Sequence, residues 1–162
     1  MRVARDWRSD AVALAAFIAA CLAISAIGGW ITAQSVETWY PTLRKPFFNP
    51  PNWIFAPVWT LLYLAIAIAG WRVWRRVGVG GAPAAMASYA LQLALNLAWS
   101  FLFFGGRMIG AALSEILVLL VAIVVNAALF RPIDRLAAWL LAPYAAWVAF
   151  AALLNLALWR LN

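Results

Sequence analysis

Four stretches of this chain carry no charged side chain at all: residues 11–36, 46–71, 77–106 and 136–159. Each is longer than the roughly 20 residues that cross a bilayer core as a helix. A fifth stretch, 108–130, is broken only by Glu115. Within them the apolar residues run continuously and do not alternate, which argues for helices and against barrel strands. The expected fold is an all-α membrane protein, a bundle of five transmembrane helices near 11–33, 52–74, 84–104, 108–130 and 134–159. It forms one integral membrane domain over 1–162, with residues 34–51 as a long first connection. Composition agrees, since 68% of the chain is apolar and 10% charged, whereas a soluble domain is nearer half and a quarter.

The N-terminal arginines and the apolar run behind them imitate a secretory leader. The run is too long for an h-region, so a retained first span is the reading. A formal charge of +7 would suggest nucleic acid in a soluble protein. Here topology explains it, and no nucleic-acid partner is expected. Arg2, Arg5, Arg8, Arg72, Arg75, Arg76, Arg131 and Arg135 fall on one side; Arg44, Lys45, Arg107 and Arg160 fall on the other. The positive-inside rule then places the N-terminus in the cytoplasm. Five helical spans favour a bacterial inner membrane.

Several chemistries are absent. There is no His and one Cys, Cys21, so no disulfide framework, zinc set or His-ligated haem is expected. No phosphate loop or nucleophile elbow occurs. No general acid–base pair supports hydrolytic or transferase chemistry.

The first connection is the least ordinary part. "WYPTLRKPFFNPPNWIFAPVW", residues 39–59, holds seven aromatics, five prolines, two cations and no acid. Long structured loops often carry function. Asn49, or alternatively Asn52, is the expected N-cap of the second helix, and Pro57 and Pro143 are expected to kink their helices.

Polar groups inside lipid ask for partners. Gln92 and Asn96 share one face of the third helix. Glu115 and Asn126 share one face of the fourth. Tyr144, Trp147, Ala151 and Asn155 form a stripe on the fifth. The amides either tie helices together or meet a ligand; Glu115 is either functional or paired within the bundle. Among the 11 tryptophans, Trp30, Trp39, Trp71, Trp74 and Trp159 sit where indoles anchor to the interface. Trp53, Trp59, Trp99 and Trp147 are placed to wall a flat apolar ligand. Arg44 and Lys45 stand at the mouth, for acidic groups of a ligand or for lipid phosphate. Ala90, Ala94 and Ala98 repeat every four residues and suggest a homodimer face on the third helix; Gly106 and Gly110 allow a second close approach.

"WYPTLRKPFFNPPNWIFAPVWTLLY", "LQLALNLAWSFLFFG" and "PYAAWVAFAALLNLALWRLN" strongly resemble the TspO/MBR family, the tryptophan-rich sensory proteins and the mitochondrial translocator protein (peripheral benzodiazepine receptor). The resemblance covers nearly everything after residue 30. It implies a five-helix bundle, commonly dimeric, that binds porphyrins such as protoporphyrin IX as ligand, with no obligatory cofactor. It also implies isoquinoline carboxamide and benzodiazepine-type ligands. Carried onto this chain, the ligand-binding residues are Tyr40, Trp53, Phe55, Asn96, Trp147 and Ala151, beneath loop 34–51 as a lid. Porphyrin sensing is the leading function. Light- and oxygen-dependent porphyrin degradation using Trp53 and Trp147, or porphyrin or lipid transport, are the alternatives. The mitochondrial members' sterol motif is incomplete here: Leu156 and Ala157 stand where tyrosines would be.

Overall fold

A bilayer offers the backbone no water, so each spanning segment satisfies its own N–H and C=O groups as helix. The computed structural model describes residues 7–78 and 80–162. Its helices are α1 (Trp7–Val36), α2 (Phe55–Val77), α3 (Pro83–Ser100), α4 (Ile109–Phe130), α5 (Arg135–Leu140) and α6 (Ala142–Leu161). Among the described residues there are five segments long and apolar enough to cross a membrane, with α5 and α6 together making the fifth. The protein is an all-helical, multi-pass membrane protein.

Helix α1 begins and ends beyond the expected 11–33. Short polar stretches at its ends stay helical because α1 continues past the apolar core. Two single 3₁₀ turns, Tyr40–Thr42 and Asn52–Ile54, punctuate the first connection. Neither asparagine caps α2: no side chain caps the Asn52–Ile54 turn or α2. Asn49 instead accepts the Tyr40 hydroxyl proton and donates to the Pro50 carbonyl. Pro57 lies in the first turn of α2, where a missing N–H costs little, so no kink follows there. Pro143 does act. It cannot bond the carbonyl four residues back, and the fifth span breaks at Leu141, with α6 starting afresh around it.

Helix α2 ends at Gly78, whose positive φ of 69° with ψ 177° is a backbone conformation that glycine adopts without Cβ strain. After α3 the backbone widens over Phe101–Gly105 into one π-helical turn, marked by the Gly106 N–H to Phe101 carbonyl bond of 2.6 Å. Arg107, at φ 55°, then reverses the chain into α4.

Helices α1 and α2, α3 and α4, and α4 and α6 form the main packed pairs. The core runs through the bundle from Leu62, Ile66 and Val73 to Tyr89, Ile123, Phe130, Tyr144 and Val148. A smaller cluster of Tyr40, Phe103, Ala112, Leu154 and Leu158 lies under the first connection. The two ends of the bundle match the division of cations. Arg75 pairs with Asp10 at 2.8 Å, and Arg72 and Arg76 pair with Asp134 at one end. Arg107 lies over Trp39 and Arg44 meets Asn162 at the other. Arg2 and Arg5 lie outside the described residues.

Candidate functional site

The small cluster under the first connection opens into an interhelical cavity of about 450 Å³. That is within the roughly 300–1,000 Å³ of small-molecule sites. Helices α1, α2 and α6, the end of α3 with its π turn, and Tyr40 and Asn52 from the two 3₁₀ turns form the walls. Helix α4 contributes none of the lining and packs against α3 and α6.

The aromatic walls come from three elements. From α2, Phe55 meets Trp147 edge-on at 6.0 Å, and Trp59 lies 5.7 Å from Tyr63. From α3, Trp99 stacks on Phe103 at 5.0 Å. Phe103 and Phe104 both reach the cavity from the π turn. An α-helix would rotate consecutive residues 100° apart, and the wider turn alters which of them faces inward. The α1 wall is smooth, built from Ser25, Gly28, Gly29 and Thr32. A Cβ at Gly28 would lie 3.3 Å from Ser100 Oγ, so this glycine sets how closely α1 meets α3.

Polar groups are few and mostly committed. Tyr63 donates to Asn96 Oδ1 at 2.5 Å, and Asn96 Nδ2 donates to Tyr144 Oη at 2.8 Å. One amide thus joins α2, α3 and α6. Trp99 Nε1 donates to Asn155 Oδ1 at 3.2 Å, and Asn155 Nδ2 donates to the Ile109 carbonyl at 2.9 Å. Asn126 Nδ2 holds the Ala85 carbonyl at 3.1 Å. These amides tie helices together, and Asn96 and Asn155 do so while lining the cavity. Gln92 is fully buried with no side-chain partner among the described residues, and both Glu115 oxygens are enclosed and equally unpartnered.

The mouth is held by the first connection. Tyr40 is buried and donates to Asn49 Oδ1 at 2.6 Å, with Lys45 Nζ 4.8 Å from its ring centroid. Burial pushes its phenol up to about 12, against the opposing pull of the Asn49 hydrogen bond, so it stays a neutral donor at ordinary pH. Asn162 clasps Arg44 from both sides, accepting from its N–H at 2.9 Å and donating to its carbonyl at 3.1 Å. Asn162 therefore pins the connection to the end of α6.

Of the residues singled out in the sequence, Tyr40, Phe55, Asn96, Trp147 and Ala151 share this cavity, as do Trp59 and Trp99. Trp53 does not. It sits on the second 3₁₀ turn, 74% exposed, outside the lining. A β-like or helical register cannot be read through "NPPNW", and the turn points its indole outward. Sequence reasoning missed Phe103 and Phe104, because no residue pattern announces a π turn. It also missed the α1 wall, whose small residues look like ordinary span filler.

The family model described as TspO/MBR matches residues 17–160. The chain belongs to the TspO/MBR family. TspO relatives agree along most of their length. The tryptophan-rich protein TspO of Archaeoglobus fulgidus is 43% identical, over 92% of this chain and 96% of its own. The translocator protein of Sus scrofa is 39% identical over 86% of each chain. The tryptophan-rich sensory protein of Cereibacter sphaeroides is 36% identical, over 90% of this chain and 89% of its own.

Proposed function

We propose that this TspO-type membrane protein is a receptor that holds a porphyrin between its helices, beneath the Tyr40 connection as lid. The observation that carries the reading is the cavity: three tryptophans, Trp59, Trp99 and Trp147, share its wall with Phe55 and Phe103. Flat aromatic faces suit a flat conjugated macrocycle. Lys45, at the mouth beside Tyr40, is the partner for the macrocycle's carboxylates. Isoquinoline carboxamide and benzodiazepine-type molecules are competitors for the same walls.

Degradation of porphyrin by a Trp53–Trp147 pair draws less support, because only Trp147 of the two lines the cavity. A homodimer through α3 fits the exposure of Ala90 and Ala94, which leaves a smooth face toward lipid. The cation bias supports an N-terminus in the cytoplasm, and five helical spans in place of barrel strands support a bacterial inner membrane as the site.

The test is a dark titration of the detergent-purified protein with protoporphyrin IX, following tryptophan quenching and the porphyrin absorption band. Saturable binding weakened by Trp147→Phe and by Tyr40→Phe is the expected result. Linear uptake indifferent to both changes would be partition into micelles and would defeat the proposal. Illumination of the loaded protein, against free porphyrin under the same light, reads out any degradation.

A further inference from the structure

At the end of the bundle opposite the Tyr40 connection, a second cleft of about 720 Å³ opens between α2 and the turn joining α4 to α5. Four guanidiniums line it, Arg72, Arg76, Arg131 and Arg135, with one carboxylate, Asp134. That carboxylate is 2% exposed and already committed. Its Oδ2 accepts from Arg72 at 2.9 Å and from Arg76 at 2.7 Å, and its Oδ1 accepts from the Ala137 N–H at 3.0 Å. Arg76 spends a second donor on the Ile133 carbonyl at 3.1 Å. The Arg131 and Arg135 guanidiniums have no partner among the described residues, and Arg72 Nε is buried without one. The cleft therefore holds an uncompensated positive charge.

We infer that this cleft is a binding site for the phosphate group of an anionic membrane lipid. Guanidinium forks match phosphate oxygens in geometry and keep their charge at any relevant pH. Position supplies the lipid. The cleft lies where the spans Asn52–Val77 and Ile109–Phe130 end, which is headgroup depth. Its apolar flank is Ala128 and Leu136. Trp139, one helical turn beyond Leu136, is 73% exposed on the same short helix. Exposed apolar side chains beside a phosphate site suit acyl chains, and a free inorganic anion has no use for them. Arginines that serve topology alone need only sit on the correct side of the membrane. These four converge on one hollow. The site is independent of the porphyrin cavity.

The experiment is thermal unfolding of the full chain in a neutral detergent with short-chain phosphatidylglycerol, short-chain phosphatidylcholine or inorganic phosphate at matched concentrations. The variant is Arg131→Gln with Arg135→Gln, which removes two exposed, unpartnered groups and leaves the Asp134 ion pairs intact. Phosphatidylglycerol is expected to stabilise the wild type, with an apparent affinity about tenfold or more weaker in the double variant and weaker again as salt is raised. Phosphatidylcholine is expected to do little to either. Should the double variant fold poorly, each single variant reads the same loss in part. Equal stabilisation of wild type and variant by phosphatidylglycerol overturns the site. Equal effects of the two lipids overturn its charge selectivity. Inorganic phosphate matching phosphatidylglycerol, with the same dependence on the arginines, overturns the lipid assignment in favour of a soluble anion.

Discussion

Asn96 is the joint on which three helices meet, and its removal has a calculable cost. Asn96→Ala leaves the Tyr63 hydroxyl with no acceptor and removes the donor to Tyr144 Oη. A buried polar group stripped of its partner costs about 1–3 kcal/mol. Two such losses give about 2–6 kcal/mol. Asn96 also lines the cavity, so water entering there can re-satisfy part of the loss, which favours about 2–4 kcal/mol. For a chain of this size each kcal/mol moves Tm by about 2–4 °C. Thermal unfolding in detergent should therefore show Asn96→Ala about 4–16 °C below wild type. The triple variant Tyr63→Phe, Asn96→Leu, Tyr144→Phe removes every polar atom of the joint together. It should recover most of that loss, because no group is left orphaned. If Asn96→Ala melts with the wild type, or the triple variant is worse than the single, the hydrogen-bonded joint does not hold the bundle as described.

Three further predictions concern other parts of the chain. Gly70→Ala places a Cβ 2.8 Å from Tyr89 Oη and should lower stability by about 1–3 kcal/mol, read as a lower Tm, whereas an unchanged Tm would mean α2 and α3 are less tightly apposed. Asp134 pays for its burial with a raising influence on its pKa, but the Ala137 N–H and the Arg72 and Arg76 guanidiniums outweigh it, and the net shift is downward. Its contribution to stability is therefore present above the ordinary carboxylate range and lost as pH falls through the lowered folded value; Asp134→Asn should lower the Tm at neutral pH and flatten that acid dependence, and an identical acid limb in the variant would contradict the assignment. Cys21 is 1% exposed, with its Sγ 3.4 Å from Tyr89 Oη, so a maleimide should label it only after denaturation; rapid labelling of the folded protein would show that α1 separates from α3.

The architecture was legible because lipid makes charge expensive everywhere along a span. Gaps such as 46–71 and 77–106 report helices by absence of charge alone, whatever their detailed packing. Helix ends were less legible, since α1 continues through polar residues at both ends of its apolar run. Asn49 had the composition of a cap and became a partner for Tyr40: its N–H closes a turn on the Pro46 carbonyl, and helical structure resumes only at the Asn52–Ile54 turn. The same logic limits the cavity. Trp59, Trp99 and Trp147 are regular helical positions and were legible as walls. Trp53 sits beyond the helix on a tight turn, where no periodicity fixes direction. Phe103 and Phe104 depend on one extra residue in a turn, a backbone choice set by how α3 meets α1 and α4.

The most direct test of the account is to fill the cavity and count what still binds. Ala151 lines its α6 wall, and Ala151→Phe puts a ring into the space proposed for the porphyrin. Titration of both proteins with protoporphyrin IX in the dark should show saturable tryptophan quenching in the wild type and none in Ala151→Phe, at an unchanged Tm of the unliganded protein. Equal saturable quenching in a well-folded Ala151→Phe protein would mean that porphyrin binds elsewhere, and the interhelical cavity would lose its proposed role.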